Sequence, residues 1–217
     1  MSFSLETMLG IICLLASLTV YFQSPSELYL KIFPIYLFIA AVMGEIGPYL
    51  QRHNKQNALL YTFFIVFEFI FYFFVLFQIV KSRKLKKIII NVLWIYPVLA
   101  MINTFLIQKA QGFDSTSYAL GCLLVAIMCI FYFYELFQFS NSSRLSREPS
   151  FWICTAILFN YCCMFPIFSF IIFLHNPPMF IIKNLEMIRS IINIFTYLLF
   201  TIAFLCRIKI NKSMLQS

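Results

Sequence analysis

The chain has 217 residues, 62% of them hydrophobic and only 11% charged, with a mean hydropathy of +0.90. A soluble domain carries about 25% charged residues, which excludes water as the main solvent and leaves an all-α, polytopic membrane protein. The net charge of +8 would suggest nucleic acid in a soluble protein. Here the basic residues fall between apolar runs, where they orient helices and meet anionic lipid headgroups, so no nucleic acid partner is expected.

Seven apolar runs follow, each near the ~20 residues that span a bilayer as a helix. The first, 3–22, contains Glu6, lacks Lys and Arg, and ends in YFQSPSE. A signal peptide opens with positive charge and closes on small residues, so this run reads as a retained first helix. The second, 29–50, contains Pro34, Gly44, Glu45, Gly47 and Pro48. The third, 58–80, carries Glu68 near its middle and runs straight into KSRKLKK, the densest cluster of positive charge in the chain. The fourth, 88–107, contains Pro97, and the fifth covers 117–139. Pro149 suits the first turn of the sixth, 151–174, which contains Pro166; the seventh is 184–206. The connections are short, so 1–217 reads as a single transmembrane bundle without a soluble catalytic domain.

Basic residues set the orientation. With the N-terminus outside and the C-terminus cytoplasmic, the inner segments hold eleven Lys and Arg (Lys31, Lys81, Arg83, Lys84, Lys86, Lys87, Arg144, Arg147, Arg207, Lys209, Lys212). The outer ones hold five (Arg52, Lys55, Lys109, Lys183, Arg189), as the positive-inside rule favours. The expected location is the cell membrane, plasma or inner. Two out-to-in runs also echo each other, IFYFFVLFQI at 70–79 and IFYFYELFQF at 130–139. Chance in a Phe-rich chain competes here with three hairpins descended from a repeat.

A charge at bilayer depth costs at least about 2.5 kcal/mol and turns towards a partner. Glu68 shares a helix face with Tyr61 and Tyr72 at about 100° per residue, which suits a proton- or ligand-binding acid. The plainer alternative is a neutral acid that fixes helix packing through Tyr or Asn. Glu45 lies about 8 Å from the midplane at 1.5 Å per residue, at the depth of Arg189, and an ion pair between them is expected. Glu186, Arg189, Asn193, Thr196 and Arg207 project within roughly 60° of one line on the seventh helix. Asn160 on the sixth helix is placed to meet that stripe, and the group would outline a central polar cavity; isolated Asn and Thr more often serve as packing glue. Glu135 is expected to pair with Arg144 or Arg147 at the inner surface, a contact of little energy. Lys81, Arg83, Lys84, Lys86 and Lys87 form a cytoplasmic basic face, read as an orientation and lipid-headgroup signal or as the dock of a signalling protein.

No chemistry-bearing motif is present: no H-E-x-x-H, no P-loop, no G-x-S-x-G. No lysine sits mid-helix in the seventh run for a retinal Schiff base. The seven cysteines (Cys13, Cys122, Cys129, Cys154, Cys162, Cys163 and Cys206) lie in or beside apolar runs without C-x-x-C spacing and read as packing residues. Neither His53 nor His175 joins a ligand set, so no catalytic residue, metal or cofactor is assigned.

The segment YFYELFQFSNSSRLSREPSFWICTAILFNY resembles a stretch of small, uncharacterised seven-helix bacterial membrane proteins. Tyr132, Tyr134, Glu135, Leu136 and Phe137, then Glu148, Pro149, Ser150, Phe151 and Trp152, carry the likeness. The resemblance implies topology and brings no catalytic residue. The expected function is a non-enzymatic sensor or partner subunit of a signalling system, binding a small or lipidic ligand between helices. A small-solute transporter, proton-coupled through Glu68, and a structural assembly subunit are the alternatives. The scarcity of Gly, five in the chain, weighs against helices that slide closely past each other.

Overall fold

In hydrocarbon an apolar run must satisfy its backbone N–H and C=O groups internally, and among single segments only a helix does so. The computed structural model describes residues 5–22, 27–53, 58–107, 115–139, 147–173 and 178–214, which form seven helices and no strand. They are α1 (Leu5–Leu18, prolonged by a 3-10 turn at Thr19–Phe22), α2 (Leu28–Arg52), α3 (Ala58–Ile79) and α4 (Arg83–Ile102, closing in a π-helical turn at Asn103–Ile107). Then come α5 (Ser115–Phe139), α6 (Pro149–Phe173) and α7 (Met179–Met214). All seven are long and apolar enough to cross a bilayer. Large apolar side chains such as Trp94, Leu106 and Phe173 cover the outside of the bundle, the arrangement of a multi-pass membrane protein.

Two helices begin earlier than hydropathy implies. α4 starts at Arg83, not 88, so Arg83, Lys84, Lys86 and Lys87 form its first turns instead of a loop. α7 starts at Met179, not 184, and continues past 206 to Met214. Lys and Arg are good helix formers, and a helix does not stop where its need for lipid stops. Prolines mark two of the starts. Pro149 opens α6, where a missing N–H costs nothing, and the Pro178 carbonyl accepts the N–H groups of Ile181 and Ile182.

The helices close into a ring in which each packs on its neighbours in sequence and α1 returns to α7. α3 also packs directly on α5, and these are the two most buried spans, with α4 laid against both. Glycine makes the α3–α5 approach feasible. The Phe69 ring lies where a Cβ on Gly121 would stand, 2.5 Å from that point. Phe69 is fully buried and touches the rings of Tyr96, Tyr118 and Tyr161 at centroid distances of 5.2, 5.6 and 5.3 Å.

α1 and α7 run parallel in a regular register. Glu6 faces Asn193, Gly10 faces Tyr197 and Cys13 faces Thr201. Gly10, Cys13 and Ser17 recur at helical spacing on α1, and such small side chains let membrane helices approach closely. Phe33 of α2 reaches α7 as well, edge-on to Phe200 at 5.0 Å and Phe204 at 5.5 Å.

Candidate functional site

The mid-bundle acid is held by tyrosines. On α3, Glu68 and Tyr72 are four residues apart and so share a face; α2 supplies Tyr36 opposite. The Tyr36 hydroxyl donates to Glu68 Oε1 at 2.9 Å and lies 2.8 Å from the Tyr72 hydroxyl. A phenol has one proton. With Tyr36's given to Glu68, the second bond runs from Tyr72 to Tyr36, a directed chain of three groups. Tyr36 is fixed by stacking on Phe71 at 4.1 Å and 8°. From α6, Tyr161 turns towards the Glu68 carboxylate, but its buried hydroxyl completes no hydrogen bond. Tyr61, the other residue expected on this face, packs instead over Gly47 of α2.

The polar stripe of α7 is used, although not by the expected partner. Glu6 of α1 accepts from Ser190 Oγ at 2.6 Å and from Asn193 Nδ2 at 2.7 Å. Glu45 and Arg189 are both exposed, and no ion pair joins them. The reason is positional: α1 packs on both α2 and α7, and its own carboxylate takes the α7 stripe. Glu186 is exposed, and the side chain of Arg207 lies outside the described residues. Thr196 turns back to the Ile192 carbonyl at 2.9 Å. Asn160 is buried with its Oδ1 unpartnered. Glu68 is thus bonded to Tyr36 and Asn193 to Glu6, while Glu45 is exposed.

At the opposite end of the bundle, where α3 turns into α4, Glu135 departs from its expected role. Arg144 lies outside the described residues, and Arg147 makes no ion pair with Glu135. Glu135 is instead 7% exposed, and its Oε1 accepts the backbone N–H groups of Lys81 at 3.0 Å and Ser82 at 2.7 Å. The need is backbone-driven. The last helical bond of α3 goes from the Val80 N–H to Leu76, and Ser82, the N-cap of α4, makes no side-chain cap. Glu135 thus makes across helices the bond to an N-cap N–H that a capping-box glutamate makes within one. Its negative charge also complements the positive end of α4. In the echoed segment of α3 the corresponding residue is Val75, fully buried.

The basic face divides by role. Lys81 contributes its backbone to Glu135, and Lys86 lies over the Phe77 ring at 5.1 Å. Arg83, Lys84 and Lys87 are exposed. Directly beyond them, α4 and α5 leave an apolar groove of about 290 Å³, lined by Ile88, Asn91, Ile95 and Leu99 from α4 and by Leu120 and Leu124 from α5. The sequence reading missed this groove. Its only signal was the i, i+3, i+7 recurrence of Ile88, Asn91 and Ile95, which hydropathy cannot separate from an ordinary lipid-facing stripe.

The cysteines are all free thiols, and Cys13, Cys122, Cys129 and Cys154 are buried. Among the described residues no group of three or more His, Cys, Asp or Glu is placed to hold a metal ion; His175 lies outside them. No protein-family model, curated protein or solved structure matches the chain.

Proposed function

We propose that this chain is a non-enzymatic sensor or partner subunit of a membrane signalling system. It sits multi-pass in a plasma or inner membrane, N-terminus outside and C-terminus cytoplasmic, and binds an anionic lipid between α4 and α5. One observation carries the reading: the apolar groove begins where the basic turns end. Lys84 precedes Ile88, and Lys87 precedes Asn91, by four residues, so both lysines stand on the helix face that carries the groove, one turn before it. An acyl chain in the groove would bring a phosphate to these lysines, each worth about 1 kcal/mol at a membrane surface. The same turns follow the α3–α4 connection held by Glu135, so lipid occupancy bears on the surface that Arg83, Lys84 and Lys87 offer a soluble partner.

The test is lipid retention through purification, read by native mass spectrometry. Lys84→Gln with Lys87→Gln should lower retention of anionic lipid by roughly 10- to 30-fold. Leu99→Trp, which fills the groove and leaves the lysines in place, should lower it too. Unchanged retention in both variants rejects the reading.

The directed chain Tyr72–Tyr36–Glu68 favours a second reading, a proton-coupled transporter with Glu68 as the proton-binding group. Solute uptake into proteoliposomes driven by a pH gradient and abolished by Glu68→Gln would establish it in place of the sensor.

A further inference from the structure

The end of the bundle that carries the basic turns holds a second concavity, separate from the α4–α5 groove. It measures about 80 Å³ and is lined by Lys81, Tyr132, Glu135, Glu148 and Ser150, with Ile79 and Leu136 as its apolar wall. Two of its polar atoms are buried without a completed hydrogen bond: Glu135 Oε2, and the Tyr132 hydroxyl, which is turned towards the Ser150 hydroxyl. These residues are 7% and 5% exposed. Glu135 Oε1 already serves two backbone N–H groups, so the capping role leaves Oε2 unexplained. Buried carboxylate oxygens and phenols are expensive to leave unbonded, and two of them on one small cavity point to something that bonds both.

We propose that this cavity is a binding site for a primary ammonium group. The argument is one of donors, charge and size. Glu135 Oε2 and the Glu148 carboxylate accept only, and Tyr132 and Ser150 hydroxyls can accept. The lining carries two carboxylates against one ammonium, Lys81. Lys81 is exposed and forms no ion pair with either carboxylate, so among the described residues no cation neutralises these acids. A ligand NH3⁺ presents three donors, enough for Glu135 Oε2, Tyr132 Oη and Glu148 together. The concavity has room for more than one water, which takes a CH2–NH3⁺ group against Ile79 and Leu136. A trimethylammonium group has no N–H to offer and is bulkier. The primary amine has two sources, a free small amine or the headgroup of an ethanolamine phospholipid. In the second case the lipid phosphate would lie outside the cavity, beside Lys81.

Full-length protein is purified in detergent and its unfolding midpoint followed while ethanolamine is titrated, with choline and sodium chloride as matched controls. Ethanolamine should raise the midpoint saturably, and choline and sodium should not. Glu148→Gln and Tyr132→Phe, neither of which touches the α3–α4 cap, should each weaken the ethanolamine response about tenfold. Glu135→Gln should abolish it but also loosens the cap, so the first two variants decide. No response to ethanolamine, an equal response to choline or sodium, or a response unchanged in both deciding variants overturns the proposal. Nanodiscs separate the sources. A higher midpoint in phosphatidylethanolamine than in phosphatidylcholine, lost in Glu148→Gln, assigns the lipid headgroup; equal midpoints alongside a saturable ethanolamine response assign the free amine.

Discussion

Removal of the Glu135 side chain tests the cross-helix cap most directly. Glu135→Ala breaks two charge-assisted bonds, to the N–H groups of Lys81 and Ser82. Each is worth about 1.5–3 kcal/mol, and relief of the buried, unpartnered Oε2 returns about 1–3 kcal/mol. The net loss is therefore about 2–3 kcal/mol. Glu135→Gln keeps a carbonyl oxygen for the same two donors and forgoes only the charge, so it should cost about 1 kcal/mol. Equilibrium unfolding of the reconstituted protein by SDS titration reads both values. The local signature is amide hydrogen exchange, which should quicken at Lys81 and Ser82 in the Ala variant far more than in mid-span amides of α5. Equal losses for Ala and Gln, or exchange unchanged at the turn, would show that packing and not capping is what Glu135 supplies.

Two further predictions concern the mid-bundle core. Gly121→Ala places a methyl group against the Phe69 ring, which has no room to withdraw among Tyr96, Tyr118 and Tyr161. It should cost about 1–3 kcal/mol, with partial recovery on adding Phe69→Leu. Gly44→Ala, with nothing within 4 Å of its new Cβ, serves as the neutral control in the same unfolding assay. Tyr36→Phe removes the middle link of the tyrosine chain and should cost about 2–3 kcal/mol, whereas Tyr72→Phe removes only its end and should cost about 1 kcal/mol. The double variant should fall short of the sum, because the second bond is already gone; full additivity would refute the directed chain.

Much of the architecture is legible in the residues. Length and hydropathy find seven spans because a membrane helix answers to a solvent, and the match of a run to bilayer thickness is a property of that run alone. Helical spacing likewise places Tyr72 beside Glu68, since four residues along one helix is a local relation. The ends are read less well. α4 and α7 begin several residues before their apolar runs because charged residues carry a helix onward without adding hydropathy.

The pairing of acids with their partners is another matter. Depth alone suggests Glu45 with Arg189, yet Glu6 reaches α7 first because α1 lies between the helices in question. Glu135 reads as a surface ion-pair member but closes a backbone gap 54 and 53 residues away in sequence, at Lys81 and Ser82. What the chain by itself determined is the set of apolar helices and the faces each presents. Which faces meet was decided only in the folded bundle, because a buried carboxylate is satisfied by whichever donors the packing brings within about 3 Å, and hydropathy carries no record of a neighbour's rotation.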